Sequence, residues 1–72
     1  MVYLAMDSAQ VRSLRKEKGM SQRELAEVSG VSEKTVANVE SGKVHSRVST
    51  GRKIGAALDV DVRSLATVVS RA

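Results

Sequence analysis

The 72-residue sequence contains no cysteine, proline, phenylalanine or tryptophan, and Tyr3 is its single aromatic residue. Without cysteine, neither a disulfide nor a thiolate metal site can stabilise so short a chain. A strand-rich fold usually has more aromatic residues, and a membrane-spanning helix needs about 20 consecutive apolar residues, which this sequence lacks. These absences favour one small all-α domain over residues 1–72. The apolar segment 1–6 lacks the positively charged start of a signal peptide, so we expect a cytoplasmic protein.

Residues that carry catalytic chemistry are also scarce. The only histidine is His45, and no pair of carboxylates stands outside helix-capping or surface positions. A lone histidine has no second metal ligand at a useful spacing. Gly51 and Gly55 do not follow a strand, as the glycines of a phosphate-binding loop do. We therefore expect that the chain is not an enzyme and holds neither a metal nor a cofactor.

Helix start and stop signals divide the sequence into five predicted helices. Ser21 and Glu24 have the spacing of a capping box, and Ser32 is a suitable N-cap for the next helix. Gly30 permits the positive φ that a tight turn between two helices requires. The predicted helices cover residues 8–18, 22–28, 33–41, 47–58 and 62 to about 69. Their apolar faces include Val11, Leu14, Leu25, Ala26, Val28, Val36, Val39, Ile54, Leu58 and Leu65.

Two glycines interrupt the fourth predicted helix. Gly51 and Gly55 each weaken it by up to about 1 kcal/mol relative to alanine. Since the rest of the segment keeps an apolar face, we interpret both glycines as positions where a neighbouring backbone, such as that of another helix, approaches closely.

The net charge of +4 comes from one segment of the chain. Residues 1–40 hold six basic and six acidic side chains, and residues 59–72 also sum to zero. The excess lies in residues 41–58, where Lys43, Arg47, Arg52 and Lys53 meet no acidic residue. This stripe is either a solvated charged face or a surface for phosphates. Its position directly after the third helix favours phosphates.

The segment 22–41, QRELAEVSGVSEKTVANVES, resembles the helix-turn-helix of the phage repressor and Cro (XRE-like) family of DNA-binding transcriptional regulators. The resemblance extends over about residues 8–68. It implies a compact five-helix, lambda-repressor-like domain. It is carried by residues at the family's spacing, namely Gln22, Ala26, Gly30, Val36 and Val39.

The resemblance also implies roles for individual side chains. If the third helix enters the major groove, the residues that contact base edges are Ser32, Glu33, Lys34, Thr35 and Asn38. The residues expected at phosphates are Gln22, Arg23, Ser41, Lys43 and Arg47. For each of them the alternative is a solvent-facing polar residue. The family's interhelical ion pair corresponds here to Arg15 and Glu40, which otherwise are two independent surface charges.

The implied function is that of a transcriptional repressor, either Cro-like or an immunity regulator, on a pseudo-palindromic operator in double-stranded DNA. Such a protein acts as a homodimer. Its interface is either the region after the fourth helix, which comprises Asp59, Val60, Val62 and the last predicted helix, or the segment 1–6. That segment either covers the domain's own core or pairs with a copy of itself. The alternative function is an antitoxin that represses its own operon and binds a toxin protein.

Overall fold

A computed structural model describes residues 2–42 and 45–70, in which four α-helices pack beside a small antiparallel sheet. None of the helices in these two ranges is long and apolar enough to cross a membrane. The elements in chain order are β1 (Val2–Met6), α1 (Ser8–Glu17), α2 (Gln22–Ser29), α3 (Glu33–Ser41), β2 (Ser46–Arg47), α4 (Val48–Ala57), a short 3-10 helix (Val62–Ser64) and β3 (Ala66–Ser70).

The first three helices each begin directly after a residue whose side chain caps the helix. Asp7 is the N-cap of α1, and Ser21 and Glu24 form the reciprocal hydrogen bonds of a capping box at the start of α2. Ser32 caps α3. Gly30 ends α2 at φ 75°, in the left-handed region where a residue with a Cβ is strained. Local side-chain chemistry therefore determines the helix-turn-helix segment.

The prediction of an all-α fold with five helices is wrong at both ends of the chain. Residues 2–6 form β1, and the predicted fifth helix is a 3-10 helix followed by β3. Over residues 2–42 and 45–70 the sheet order is β2-β1-β3, with both pairs antiparallel. Thr67, Val68 and Val69 are β-branched and favour an extended backbone. β1 supplies the hydrogen-bonding partner that those residues need, with Leu4 opposite Val68.

The hydrophobic core lies among the helices and extends to β1. Its largest side chains are at most 1% exposed, and Leu4 of β1 is 5% exposed. β1 therefore covers the domain's own core, which is one of the two roles left open for this segment. Val28 was expected in the core, but it is 64% exposed because it lies on the outer side of α2. The fully buried large residues are Val11, Leu25, Val36, Ile54, Leu58 and Leu65.

Both glycines of α4 lie where another segment approaches the helix. A Cβ added at Gly51 would overlap Cδ1 of Leu4, and one added at Gly55 would lie 3.0 Å from the carbonyl oxygen of Val60. The neighbouring backbone predicted from the sequence is present at Gly55, whereas at Gly51 the approaching atoms belong to side chains. The approaching segments are β1 and the loop before the 3-10 helix, whereas a neighbouring helix was expected. Arg47, predicted as the first residue of this helix, belongs to β2 and is the N-cap of α4.

Candidate nucleic-acid interface

α3 carries its polar side chains on the side opposite the core. Val36 and Val39 face inward and are 0% and 2% exposed. Glu33 and Lys34 are exposed, and Asn38 is half-buried. Because an α-helix has 3.6 residues per turn, this sequence separates an apolar stripe from a polar one. The residues predicted to meet base edges therefore share the outer side of α3.

The start of α3 is held by a hydroxyl pair. The Ser32 Oγ accepts a hydrogen bond from the Thr35 N–H at 3.1 Å and lies 2.8 Å from the Thr35 Oγ1. Among the described residues, no hydrogen bond or ion pair occupies the side chains of Lys34 and Asn38. Their donors therefore remain available to an external acceptor, whereas the two hydroxyls already serve the cap.

A shallow groove of about 210 Å³ separates α3 from the start of α4. Thr35 and Asn38 line it from α3, and His45, Arg47 and Thr50 line the other side. Arg47 is exposed and makes no capping hydrogen bond with its side chain. The first N–H groups of α4 lack intrahelical partners, and the helix dipole adds partial positive charge there. This end of the groove is consequently suited to an anion.

One buried carboxylate fixes α3 against α1 and α2. Glu40 is 2% exposed, and its Oε2 lies 2.7 Å from the Arg15 Nε, while its Oε1 lies 3.0 Å from the Arg15 Nη2. Gln22 donates from Nε2 to the same Oε1 at 3.1 Å. The hydrogen bonds to Glu40 raise the pKa of Arg15 above its ordinary value. The pair that the resemblance implied is thus an interhelical ion pair with a third participant from α2.

The start of α2 carries two of the residues predicted at phosphates. Gln22 is half-buried because its amide bonds to Glu40, and Arg23 is exposed, with its Nε 3.4 Å from the Glu27 Oε1. The Glu24 carboxylate accepts a hydrogen bond from the Ser21 N–H, and this bond lowers the pKa of Glu24. Arg23 therefore precedes two carboxylates, Glu24 and Glu27, on α2, and its own side chain lies in solvent.

The other predicted phosphate contacts follow the end of α3. Ser41 is exposed and donates its hydroxyl to the Asn38 carbonyl oxygen at 3.0 Å. Arg47 lies in the groove described above, and Arg52 and Lys53 are exposed on α4. Lys43 lies outside the described residues. The structure thus brings Arg47 beside Thr35 and Asn38, while Arg23 belongs to a different part of the surface.

Residues 11–65 match the HTH_3 helix-turn-helix family. The chain belongs to this family. It is a transcriptional regulator with a DNA-binding domain of the XRE type. No curated protein sequence matches the chain.

Solved structures of other helix-turn-helix regulators are similar to this chain. The restriction-modification controller protein C.AhdI from Aeromonas hydrophila is 34% identical with a TM-score of 0.75, over 82% of this chain and 89% of that one. The biofilm master regulator SinR from Bacillus subtilis, in complex with DNA, is 33% identical with a TM-score of 0.76, over 82% and 95%. The clp gene regulator ClgR from C. glutamicum is 33% identical with a TM-score of 0.69, over 79% and 74%.

Within this helix-turn-helix domain, two further residues of α1 hold the end of α3. Ser8 donates its hydroxyl to the Val39 carbonyl oxygen at 2.9 Å, and the Arg12 guanidinium donates to the Glu40 carbonyl oxygen. Carbonyls in the last turn of a helix lack intrahelical donors, so these contacts satisfy them. Sequence reasoning missed both residues, because their acceptors lie 31 and 28 positions away and no local pattern marks such a contact.

Proposed function

We propose that this chain is a sequence-specific repressor that binds a pseudo-palindromic operator as a homodimer, with α3 in the major groove. The proposal is carried by the outer side of α3, where uncommitted polar side chains adjoin a positively charged groove. A base-reading helix needs side-chain donors and acceptors that are not already bonded within the protein, placed beside cations that contact the backbone.

The base contacts follow from the chemistry of three side chains. Lys34 donates to guanine O6 and N7, and Asn38 pairs with adenine N6 and N7. Glu33 accepts from a cytosine amino group, which offsets the repulsion between its carboxylate and the phosphates. Thr35 contacts a thymine methyl group or a phosphate, and Ser32 keeps its capping role while it reaches the backbone or a base edge.

Phosphate contacts position α3 on the duplex. Arg47 and the uncapped N–H groups of α4 hold one phosphate beside the groove. Arg23 at the start of α2 contacts another, where two further N–H groups point away from the helix. Ser41 and Lys43 add contacts beyond the end of α3. Gln22 takes part by fixing the start of α2 through Glu40 and by offering its second amide hydrogen.

The number of base pairs that one recognition helix contacts is the reason for proposing dimerisation and repression. One recognition helix reads too few base pairs to select a site in a genome, so two copies on inverted half-sites are needed. A dimer that fills two successive major grooves of a promoter excludes other proteins from them. The similarity to SinR bound to DNA supports this binding mode. C.AhdI and SinR control different processes, so the similarity supports a mechanism and not a particular set of genes.

Selection of bound sites from random duplexes, followed by titration across salt, tests the proposal. We expect selection to return an inverted repeat. Lys34→Ala and Asn38→Ala should each lose about 1–3 kcal/mol on the selected site and little on random DNA. Lys16→Ala removes the same charge as Lys34→Ala from an exposed position on α1, and it should leave the preference intact. Equal affinity for selected and random DNA, or equal losses on both, would reject sequence-specific readout.

A further inference from the structure

β3 (Ala66–Ser70) has a free edge. One side of the strand pairs with β1, and no other strand within residues 2–42 and 45–70 pairs with its second side. The outer N–H and C=O groups of such a strand are available to another strand. Natural edge strands often carry lysine, proline or an inward charge that prevents this pairing. The sequence of β3, ATVVS, has none of them.

Two exposed valines lie on the same face of the sheet. Val68 pairs with Leu4, and Val2 is two residues from Leu4, so all three side chains share one face. Leu4 is 5% exposed, whereas Val68 and Val2 are 64% and 45% exposed. With Val28, these two are the exposed large hydrophobic residues of the described part of the chain. The apolar row that begins in the core at Leu4 therefore runs out into solvent at Val68.

We propose that β3 pairs with β3 of a second copy of this chain, antiparallel about a two-fold axis at Val68. A register centred on Val68 lets all five residues of each strand pair, with Ala66 opposite Ser70 and Thr67 opposite Val69 of the second copy. Val68 then meets Val68 of the second copy, and the apolar row continues to that copy's Leu4. An isologous contact of this kind closes as a dimer and leaves no further edge of β3.

The strand order favours a second copy over an unrelated strand, because it gives a spacing suited to DNA. This step rests on the proposed function. The combined sheet has the order β2-β1-β3-β3-β1-β2, and five spacings of about 4.8 Å separate the two β2 strands by about 24 Å. Half-sites one helical turn apart are about 34 Å apart. Each α3 faces β2 across the groove. The two α3 helices are therefore one helical turn of DNA apart if each lies about 5 Å farther from the two-fold axis than its own β2.

The small contact area determines the conditions under which the dimer is populated. Two five-residue strands bury less than the roughly 1,200 Å² of a standard stable interface. We therefore expect a dimer of the free protein only at high concentration, and cooperative binding on an operator with two half-sites. Because β3 lies two strands away from the groove-lining β2, DNA and the second copy occupy different parts of the sheet.

The absence of cysteine allows a direct test of the register. Val68→Cys introduces a single thiol, and residues paired across an antiparallel ladder have Cα atoms about 4.5–5.5 Å apart, within the range of a disulfide. Mild oxidation on two-half-site DNA should give a covalent dimer. Val28→Cys is the matched control, because Val28 has the same 64% exposure but lies on α2. No cross-link at position 68, or equal cross-linking at both positions, would overturn the proposal.

Charged substitutions at Val68 test the pairing of the two β3 strands in solution and on DNA. In Val68→Lys, and likewise in Val68→Glu, two like charges meet at the axis, so each variant should sediment as a monomer. Each should bind an isolated half-site as the unmodified protein does and lose at least about tenfold in affinity for the paired site. An equimolar mixture of the two should recover the dimer. Val28→Lys controls for the added charge, and thermal midpoints measure folding.

The outcomes separate this inference from the proposed function. A Val68→Lys protein that remains dimeric would place the interface on another surface and reject strand pairing. A monomeric unmodified protein that fills two half-sites without cooperativity would reject it as well, while DNA binding stands. If the chain binds no DNA but still forms the Val68 cross-link at high concentration, the proposed function fails and the strand pairing stands.

Discussion

The Arg15 guanidinium and the Glu40 carboxylate form a two-point ion pair between α1 and the end of α3, with N–O distances of 2.7 and 3.0 Å. Gln22 adds a third hydrogen bond from α2 to the same carboxylate. In residues 2–42 and 45–70, no buried side-chain nitrogen or oxygen lacks a hydrogen-bond partner. One buried residue thus links α3 to both preceding helices, in addition to the contacts that Ser8 and Arg12 make with the end of α3.

Glu40→Ala should destabilise the fold strongly. Removal of the carboxylate leaves the Arg15 charge, at 12% side-chain exposure, without its partner. Breaking a buried pair in this way costs about 3–5 kcal/mol. Urea denaturation measures the loss. Glu27→Ala is the control, since Glu27 pairs with Arg23 at 70% and 78% side-chain exposure and should cost less than about 0.5 kcal/mol. Similar small losses in both variants would contradict a structural role for Glu40.

Gly51→Ala should destabilise the contact between α4 and β1. The added Cβ overlaps Cδ1 of Leu4, and overpacking of this kind costs about 1–3 kcal/mol despite alanine's better helix propensity. In a Leu4→Ala background the overlapping atom is gone and the nearest atom left is Cγ2 of Val62, at 3.1 Å from the added Cβ, so the same substitution should cost less. A double-mutant cycle by denaturation measures this coupling. Additive effects of the two substitutions would mean that Leu4 does not limit the approach.

Arg47→Ala should change the salt dependence of DNA binding more than its sequence preference. One phosphate contact contributes about 0.9 to the slope of log K against log salt concentration. We expect the slope to become shallower by roughly that amount, with similar losses on selected and random DNA. Titrations at several salt concentrations measure both quantities. Lys16→Ala, which removes a charge from α1, should leave the slope unchanged. A loss confined to the selected site would instead make Arg47 a base contact.

Asp61 should make the stability of the 3-10 helix depend on pH in the acidic range. Hydrogen bonds from the Arg63 side chain and backbone lower the pKa of Asp61 to about 2. Because the folded value lies below the unfolded one of about 3.9, the stabilisation is complete above pH 4 to 5 and is lost as the pH falls through about 2. Asp61→Asn should lower the thermal midpoint at neutral pH, and the difference should narrow toward pH 2.

Arg63→Ala provides the control for this pH effect. It removes the side-chain hydrogen bonds, the largest cause of the lowered pKa, and leaves the backbone N–H in place. In that background, Asp61→Asn should cause a smaller and less pH-dependent change in the midpoint. If the effect of Asp61→Asn on the thermal midpoint narrows toward pH 2 to the same extent in the Arg63→Ala background, another acidic group is responsible for the pH dependence.

The helix-turn-helix was predictable because its signals are local. Ser21, Glu24 and Ser32 bond to atoms within three residues of themselves, and Gly30 needs only its own backbone freedom. The outer side of α3 follows from the same periodicity that buries Val36. Sequence reasoning therefore located α1, α2 and α3 within one or two residues, and it identified the side chains that share one side of α3.

The sheet was not predictable in the same way. The segment around Val68 has an apolar, uncharged sequence that suits a helix or a strand, and the choice depends on β1, more than 60 residues away in sequence. The groove beside α3 depends in turn on the sheet, because β2 supplies Arg47 to it. Long-range pairing thus decided both the ends of the fold and half of the candidate site.

The pairing of Val2 with Ser70 also determines when the sheet can be completed as the protein is synthesised. β1 leaves the ribosome before any of its partners has been translated, so its backbone stays hydrated while the helices, with their own caps, are able to form. The ladder between β1 and β3 can be completed only after residue 70 has been translated, although β2 and α4 are translated earlier. Pairing over so long a separation in sequence is slow relative to helix formation, so we expect the helices to form before this ladder.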